Sequence, residues 1–193
     1  MKFMVVTACD EKYAELQSVT SPTIKEYCDL HGYECQISRF TETARPPAWH
    51  KIPIILSAFK SGVDFVLWID TDAIVVNKSF KLESIIEEDK DMYFSCNWGA
   101  MNSGVFLVRN CQRVKDFLNL TWDQTQFMYD GWWEQKAMIH LLETNCYDTS
   151  TIKEIPAIEF NSEEYWTGCF VYHMPQMSNS ERIKRVLKIK AKS

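Results

Sequence analysis

Four things are missing from this 193-residue chain: a surplus of basic residues, a C-x-x-C pair, an internal repeat, and an apolar run long enough to span a membrane. Each absence removes a class of function. Lys and Arg total 21 against 26 Asp and Glu, for a formal net charge of −5. Nothing is therefore left over to neutralise phosphates, which argues against nucleic acid as the main partner. The seven cysteines (Cys9, Cys28, Cys35, Cys96, Cys111, Cys146 and Cys169) are odd in number and scattered. They read as reduced thiols in a cytosol-like compartment, not as a disulfide frame or a zinc site. The opening "MKFMVV" is too short for a signal or membrane segment and runs directly into strand-like sequence. The expectation is a soluble, cytoplasmic protein without a transmembrane segment. Asn77-Lys78-Ser79 and Asn119-Leu120-Thr121 fit the N-glycosylation pattern, and without export they are coincidental.

What is present describes an ordinary globular chain, 46% hydrophobic and 24% charged. Aromatics reach 13%, with seven Trp, which suits a dense core or a ring-binding cleft. Strand-like stretches near 3–8, 33–39, 64–69, 92–96, 104–108 and 169–173 alternate with helical ones near 11–31, 49–61, 81–88, 110–119 and 133–144. Ser21-Pro22 is expected to break the first helix. This alternation predicts an α/β domain over residues 1–176 with a mixed, mostly parallel sheet flanked by helices. From residue 177 onward six basic residues face one acidic residue. "ERIKRVLKIKAK" sets Ile183, Val186 and Leu187 at helical spacing, so residues 177–193 should form a basic helix packed on or over that domain.

The stretch that asks for a ligand is "VLWIDTDAIVV", residues 66–76. An apolar strand ends in Asp70-Thr71-Asp72, and buried carboxylates are costly unless paired or bound to metal. Ligands of α/β sheets bind at the carboxyl ends of strands. On extended backbone, residues two apart project to one side, roughly 6.6–7 Å apart. Two carboxylates so placed would hold a hard cation such as Mg²⁺ or Mn²⁺ together with a diphosphate. A single capping Asp explains one carboxylate but not both. The second D-x-D, Asp89-Lys90-Asp91, lies in a charge run and reads as a solvated turn. Haloacid-dehalogenase-type phosphatases also place D-x-D at a strand end, usually on the first strand. Here it sits on a later one, Ala73-Ile74 follow, and no downstream Gly-Asp-x-x-x-Asp appears.

"FVLWIDTDAIVVN", "MNSGVFLVRNCQRVKDFLNLTW", "WWEQKAMIHLL" and "VYHMP" resemble, in order and spacing, nucleotide-sugar glycosyltransferases of the GT-A fold. The group containing yeast galactosyl- and mannosyltransferases and plant xyloglucan xylosyltransferases is the most similar. "ACDEKYAEL" resembles the first βα turn of glycogenin-like and bacterial lipooligosaccharide galactosyltransferases. The chain's compactness is similar to that of capsid-glycan glycosyltransferases of large algal viruses. The resemblance implies a GT-A domain moving a sugar from a nucleotide diphosphate sugar, UDP-sugar favoured, to a glycan hydroxyl, with retention. It implies Mn²⁺ (or Mg²⁺) held by Asp70, Asp72 and His173. Asp10 and Tyr13 match the uracil reader and its stacking aromatic, with Thr7, Ala8 and Cys9 approaching by backbone. Lys51 matches a basic residue facing the donor, and Asn102 and Ser103 match donor-sugar contacts, with Gly104 giving close backbone approach. Glu134 and Gln135 match the catalytic acidic-Gln pair. Two departures stand out: the basic clamp that usually follows the metal His is missing before Arg182, so it is either absent or supplied by the basic C-terminal helix, and Glu134 stands where Asp is usual. Members of the group often carry an N-terminal membrane span, so the chain reads as a soluble transferase or as the catalytic domain of a longer protein. A catalytically silent domain that binds nucleotide sugar or glycan is the non-enzymatic alternative.

Overall fold

The computed structural model describes residues 1–41 and 44–191. Its chain order is β1 (Phe3–Cys9), α1 (Ala14–His31), β2 (Glu34–Arg39), α2 (Lys51–Ala58), β3 (Phe65–Ile69), β4 (Ala73–Val75), β5 (Met92–Asn97) and β6 (Ala100–Arg109). Then follow α3 (Gln112–Asp123), α4 (Trp133–Glu143), β7 (Ile152–Glu154), α5 (Ala157–Phe160), β8 (Asn161–Ser162), β9 (Val171–His173) and α6 (Asn179–Lys190). A six-stranded sheet in the order β2-β1-β3-β6-β5-β7 forms the centre, and β4-β9-β8 form a small second sheet. Only β6 runs against the others in the large sheet. The architecture is therefore mixed and mostly parallel, as the alternation predicts.

Strands that are apolar throughout are covered on both faces. Met4, Val6, Ala8, Val66 and Trp68 pack on one side against α2, α3 and α4. Phe3, Val5, Phe65, Leu67 and Ile69 pack on the other against α1 and the small sheet. The period-2 alternation of β1 and β3 thus feeds two cores at once.

Three expectations need correction. Helix α1 runs through Pro22 without a break. Its buried face (Leu16, Thr20, Thr23, Ile24 and Tyr27) seats on the sheet, and this packing outweighs the missing backbone bond. The segment near 81–88 holds only a short 3-10 turn, Leu82–Ile85. Arg109 takes the carbonyls of Glu87, Glu88 and Lys90, so these oxygens serve a guanidinium and not a helix. The 89–91 pair is not a solvated turn. Asp89 is exposed, but Asp91 binds Arg109 at 3.2 Å and Arg113 at 2.8 Å. Asp91→Asn should therefore lower stability by about 1 kcal/mol and leave ligand binding untouched, as urea melts and calorimetry would show.

The basic helix α6 starts with a capping box between Ser178 and Glu181. Its inner face is Arg182, Val186 and Ile189, lying against Val19, Ile74 and Tyr172. The expected stripe is rotated: Leu187 points outward, and Arg182 takes a core position.

Candidate nucleotide-sugar and metal site

The site lies where the two sheets meet. After β3, Ala73 N–H donates to the Asp70 carbonyl at 3.1 Å, closing a turn across Asp70-Thr71-Asp72. The extended spacing expected for these carboxylates is thus replaced by a tight bend, which brings them closer. Asp70 N–H donates to the Gly104 carbonyl at 2.8 Å, and Thr71 Oγ1 donates to the Ala8 carbonyl at 3.0 Å. The bend is pinned to β6 and β1 together.

Strand β4 leaves the bend and pairs antiparallel with β9, with Ala73 opposite His173. That register sets the imidazole beside Asp72, Nε2 to Oδ1 3.4 Å. One ligand atom each from Asp70, Asp72 and His173 falls within 4.8 Å of the others. His173 Nδ1 is buried with no hydrogen-bond partner among the described residues. Two carboxylates and an imidazole with an unsatisfied buried nitrogen fit a divalent cation, Mn²⁺ better than Mg²⁺.

Gly104 explains itself here. A Cβ at that position would sit 2.1 Å from His173 Cε1, so the glycine makes room for the His173 ring. Gly104→Ala should displace the ring, destabilise the domain by about 1–3 kcal/mol and weaken Mn²⁺ binding. Isothermal titration beside a urea melt would check both effects.

Strand β6 supplies the floor. Its register against β5 jumps between Phe94 and Ser95, which face Phe106 and Asn102. Ser103, Gly104 and Val105 bulge out of that pairing, a device that re-aims side chains. Asn102 Oδ1 accepts from Gly104 N–H at 2.8 Å. Ser103 N–H donates to Gln135 Oε1 at 2.9 Å, and its hydroxyl donates to Glu134 Oε1 at 2.8 Å.

Lys51 is the hub of this floor. At 2% exposure it ion-pairs with Glu134 at 2.7 Å and Asp70 at 3.1 Å, and it donates to the Ser103 carbonyl at 3.0 Å. Burial alone would pull its ammonium down, but Asp70 and Glu134 outweigh that and hold it above the usual lysine value. Burial pushes the Glu134 carboxyl up, only partly opposed by Lys51. Trp68 Nε1 donates to Asp70 Oδ1 at 2.6 Å.

A second cation reaches Asp72 from α6. Arg182 Nη2 lies 2.7 Å from Asp72 Oδ2, and the same guanidinium donates to the carbonyls of Met174 and Pro175 and to Asn179 Oδ1. Burial would raise the Asp72 carboxyl, but His173 and Arg182 prevail and hold it below the usual carboxylate range. Burial likewise opposes the His173 charge, and Asp72 pushes its pKa up.

Ala8, Cys9, Asp10 and Tyr13 line the same cleft of about 670 Å³, with Lys51, Asp70, Asp72, Asn102, Ser103, Glu134, Gln135 and His173. Asp10 Oδ1 accepts from Tyr13 N–H at 3.3 Å, while its buried Oδ2 has no partner among the described residues. Thr7 is buried in β1 and is not brought to the cleft. The sequence left Trp68, Trp98 and Glu163 unmarked, while the basic last helix was one of the two readings for the missing clamp. Glu163 receives hydrogen bonds from Asn97, Trp98 and Asn102. The basic run of the last helix was the one signal for Arg182; nothing local marks the others.

With this geometry in place, similarity to known proteins is informative. The sequence profile of the galactosyl transferase GMA12/MNN10 family matches residues 3–92 and 86–166. "Galactomannan galactosyltransferase 1" of Cyamopsis tetragonoloba is 27% identical over 173 residues, covering 73% of this chain and 39% of that protein. "Probable glycosyltransferase 6" of Oryza sativa is 34% identical over 106 residues, covering 49% of this chain and 22% of that protein. The chain thus spans from about a fifth to two fifths of these relatives. A crystal structure of a glycosyltransferase involved in the glycosylation of the major capsid of PBCV-1 superposes with a TM-score of 0.81 at 17% identity, covering 97% of this chain and all of that one. A Drosophila β-1,4-galactosyltransferase 7 mutant in complex with manganese, UDP-Gal and xylobiose gives 0.58 at 12% identity, covering 94% and 74%. These superpositions place the fold among GT-A glycosyltransferases, and with the profile match spanning most of its length this chain belongs to the galactosyl transferase GMA12/MNN10 family.

Proposed function

We propose that this chain is a metal-dependent glycosyltransferase domain that moves a sugar from a UDP-sugar to a glycan hydroxyl with retention of anomeric configuration. The observation that carries this reading is the Asp70–Asp72–His173 cluster on the floor of the cleft that Asp10 and Tyr13 also line. A bound Mn²⁺ would neutralise charge developing on the leaving diphosphate. The rest falls to the chain's own side chains. Asp10 Oδ2, a buried acceptor lacking a donor, suits the N3–H of uracil, and Tyr13 supplies a face for the base. Asn102, Ser103 and Gln135 hold the donor sugar by polar contact. Arg182, bound to Asp72, supplies positive charge beside the metal ligands in place of the lysine clamp.

Glu134 bears on the stereochemical course. An inverting transferase needs a free carboxylate base at the acceptor. Here Glu134 is buried and tied to Lys51 and the Ser103 hydroxyl, which favours front-face attack with the acceptor proton passing to the leaving phosphate. The donor reading is tested by calorimetry in Mn²⁺. UDP should bind more tightly than GDP, and Tyr13→Ala should weaken UDP by roughly 1–3 kcal/mol, the scale of base–aromatic stacking. Tighter GDP binding would overturn it. Turnover of a UDP-sugar panel separates an enzyme from a silent binding domain, and product anomeric NMR reads the stereochemistry.

A further inference from the structure

Among the described residues, three other than glycine have positive φ: Trp98 (56°), Trp133 (46°) and Asn145 (56°). Asn tolerates that region; a bulky aromatic does not, and strained backbone of this kind persists where the surroundings enforce it, often at ligand clamps. Both strained tryptophans line the cleft just described. Trp98 and Gly99 (φ 79°) are the two central residues of the β5–β6 hairpin, closed by Asn97 opposite Ala100. A two-residue turn with φ positive at both positions calls for Asn-Gly; Trp occupies the first place instead.

Burial is not the reason for either residue. Trp98 is 89% exposed, Trp132 52% and Trp133 43%. They are nonetheless held in place. Trp98 Nε1 donates to Glu163 Oε2 at 3.1 Å, and Glu163 Oε1 is fixed by Asn97 Nδ2 at 2.9 Å. Trp133 N–H donates to the Asp130 carbonyl at 3.0 Å, and Trp132 N–H donates to Asp130 Oδ1 at 3.1 Å. An indole oriented by Glu163 at Trp98, with the Trp132 and Trp133 rings on anchored backbone and left open to water, fits a ligand with a flat apolar face.

Resting on the glycosyltransferase reading, we propose that Trp98, Trp132 and Trp133 form the acceptor subsite, a stacking surface for a neutral oligosaccharide whose pyranose presents an unbroken C–H face. Aromatic rings attract the positively polarised C–H edge of such a face. Glu163 lines this cleft, in which carboxylates outnumber cations, and so disfavours uronic or sialic acids.

The test titrates ¹⁵N-labelled protein, with and without UDP and Mn²⁺, with cellotetraose, xylotetraose and mannotetraose. It follows the indole Nε1 signals, assigned with Trp98→Asn and Trp133→Ala. At least one saccharide should shift the Trp98 and Trp133 signals saturably, and each variant should weaken that binding tenfold or more. Trp98→Asn restores the residue the turn prefers, so its melting temperature should equal or exceed that of the wild type. If no saccharide moves either indole, or if Trp98→Asn lowers the melting temperature and leaves saccharide affinity unchanged, the proposal is overturned. UDP affinity, measured alongside, reports separately on the donor reading. Saccharide binding without UDP binding would remove that reading and leave the stacking surface standing.

Discussion

Lys51→Met is expected to lower the melting temperature by roughly 6–20 °C, following from a loss of about 3–5 kcal/mol. The variant leaves Glu134 fully enclosed and Asp70 without its ammonium, two carboxylates that lie beside one another in a water-poor floor. Removing one partner of a buried pair is far more damaging than removing both, because the uncompensated charge remains behind. The double variant Lys51→Met with Glu134→Gln should accordingly recover most of the lost stability. Asp70 keeps its Trp68 bond and its partial exposure in that variant. Urea denaturation of the three proteins is the measurement. A single variant melting within about 2 °C of wild type would show that the hub does not carry the floor.

That prediction could not have been written from the sequence. The motif resemblance alone brought Lys51 to the donor side, and nothing local marks its burial or its two carboxylate partners. The central alternation was legible because β3 is apolar without interruption and β1 is broken only by Thr7. What stayed illegible depends on long-range contact. The bend at Asp70–Asp72 looks like strand until Gly104 and Ala8 anchor it from distant strands. The strands β4, β7 and β8 are two or three residues long and too short to show a period. Arg182 looks solvent-facing in a basic helix, and it turns inward to Asp72 and to the carbonyls of Met174 and Pro175. Trp98 reads as a core aromatic, yet it stands at a hairpin tip.

Asp72→Asn should reduce Mn²⁺ affinity in the presence of UDP by more than about 100-fold, beyond the 10–100-fold typical of losing an outer-shell partner. It should remove transfer altogether while the domain stays folded. Asn keeps an oxygen to accept from Arg182 but lacks the charge that a hard cation needs. The melting temperature should fall by only a few degrees, since one oxygen of the Arg182 contact persists. Asp91→Asn is the matched control: its effect belongs to stability alone, because its carboxylate serves Arg109 and Arg113. Electron paramagnetic resonance of free Mn²⁺ would read both variants. Equal loss of metal binding in the two would sink the assignment of the site.

The Arg182–Asp72 contact has a temporal consequence during synthesis. Asp70 and Asp72 leave the ribosome long before His173 and Arg182, which lie some hundred residues downstream. At elongation rates of about 5–20 residues per second, the carboxylates wait roughly 5–20 s for their imidazole and guanidinium. The nascent chain can pair β1, β2 and β3 in that interval, but it has neither β9 to position a third ligand nor α6 to balance the charge. The candidate metal site is therefore completed only after all six strands of the central sheet have been made, and a chain cut short before His173 would lack one of its three ligands.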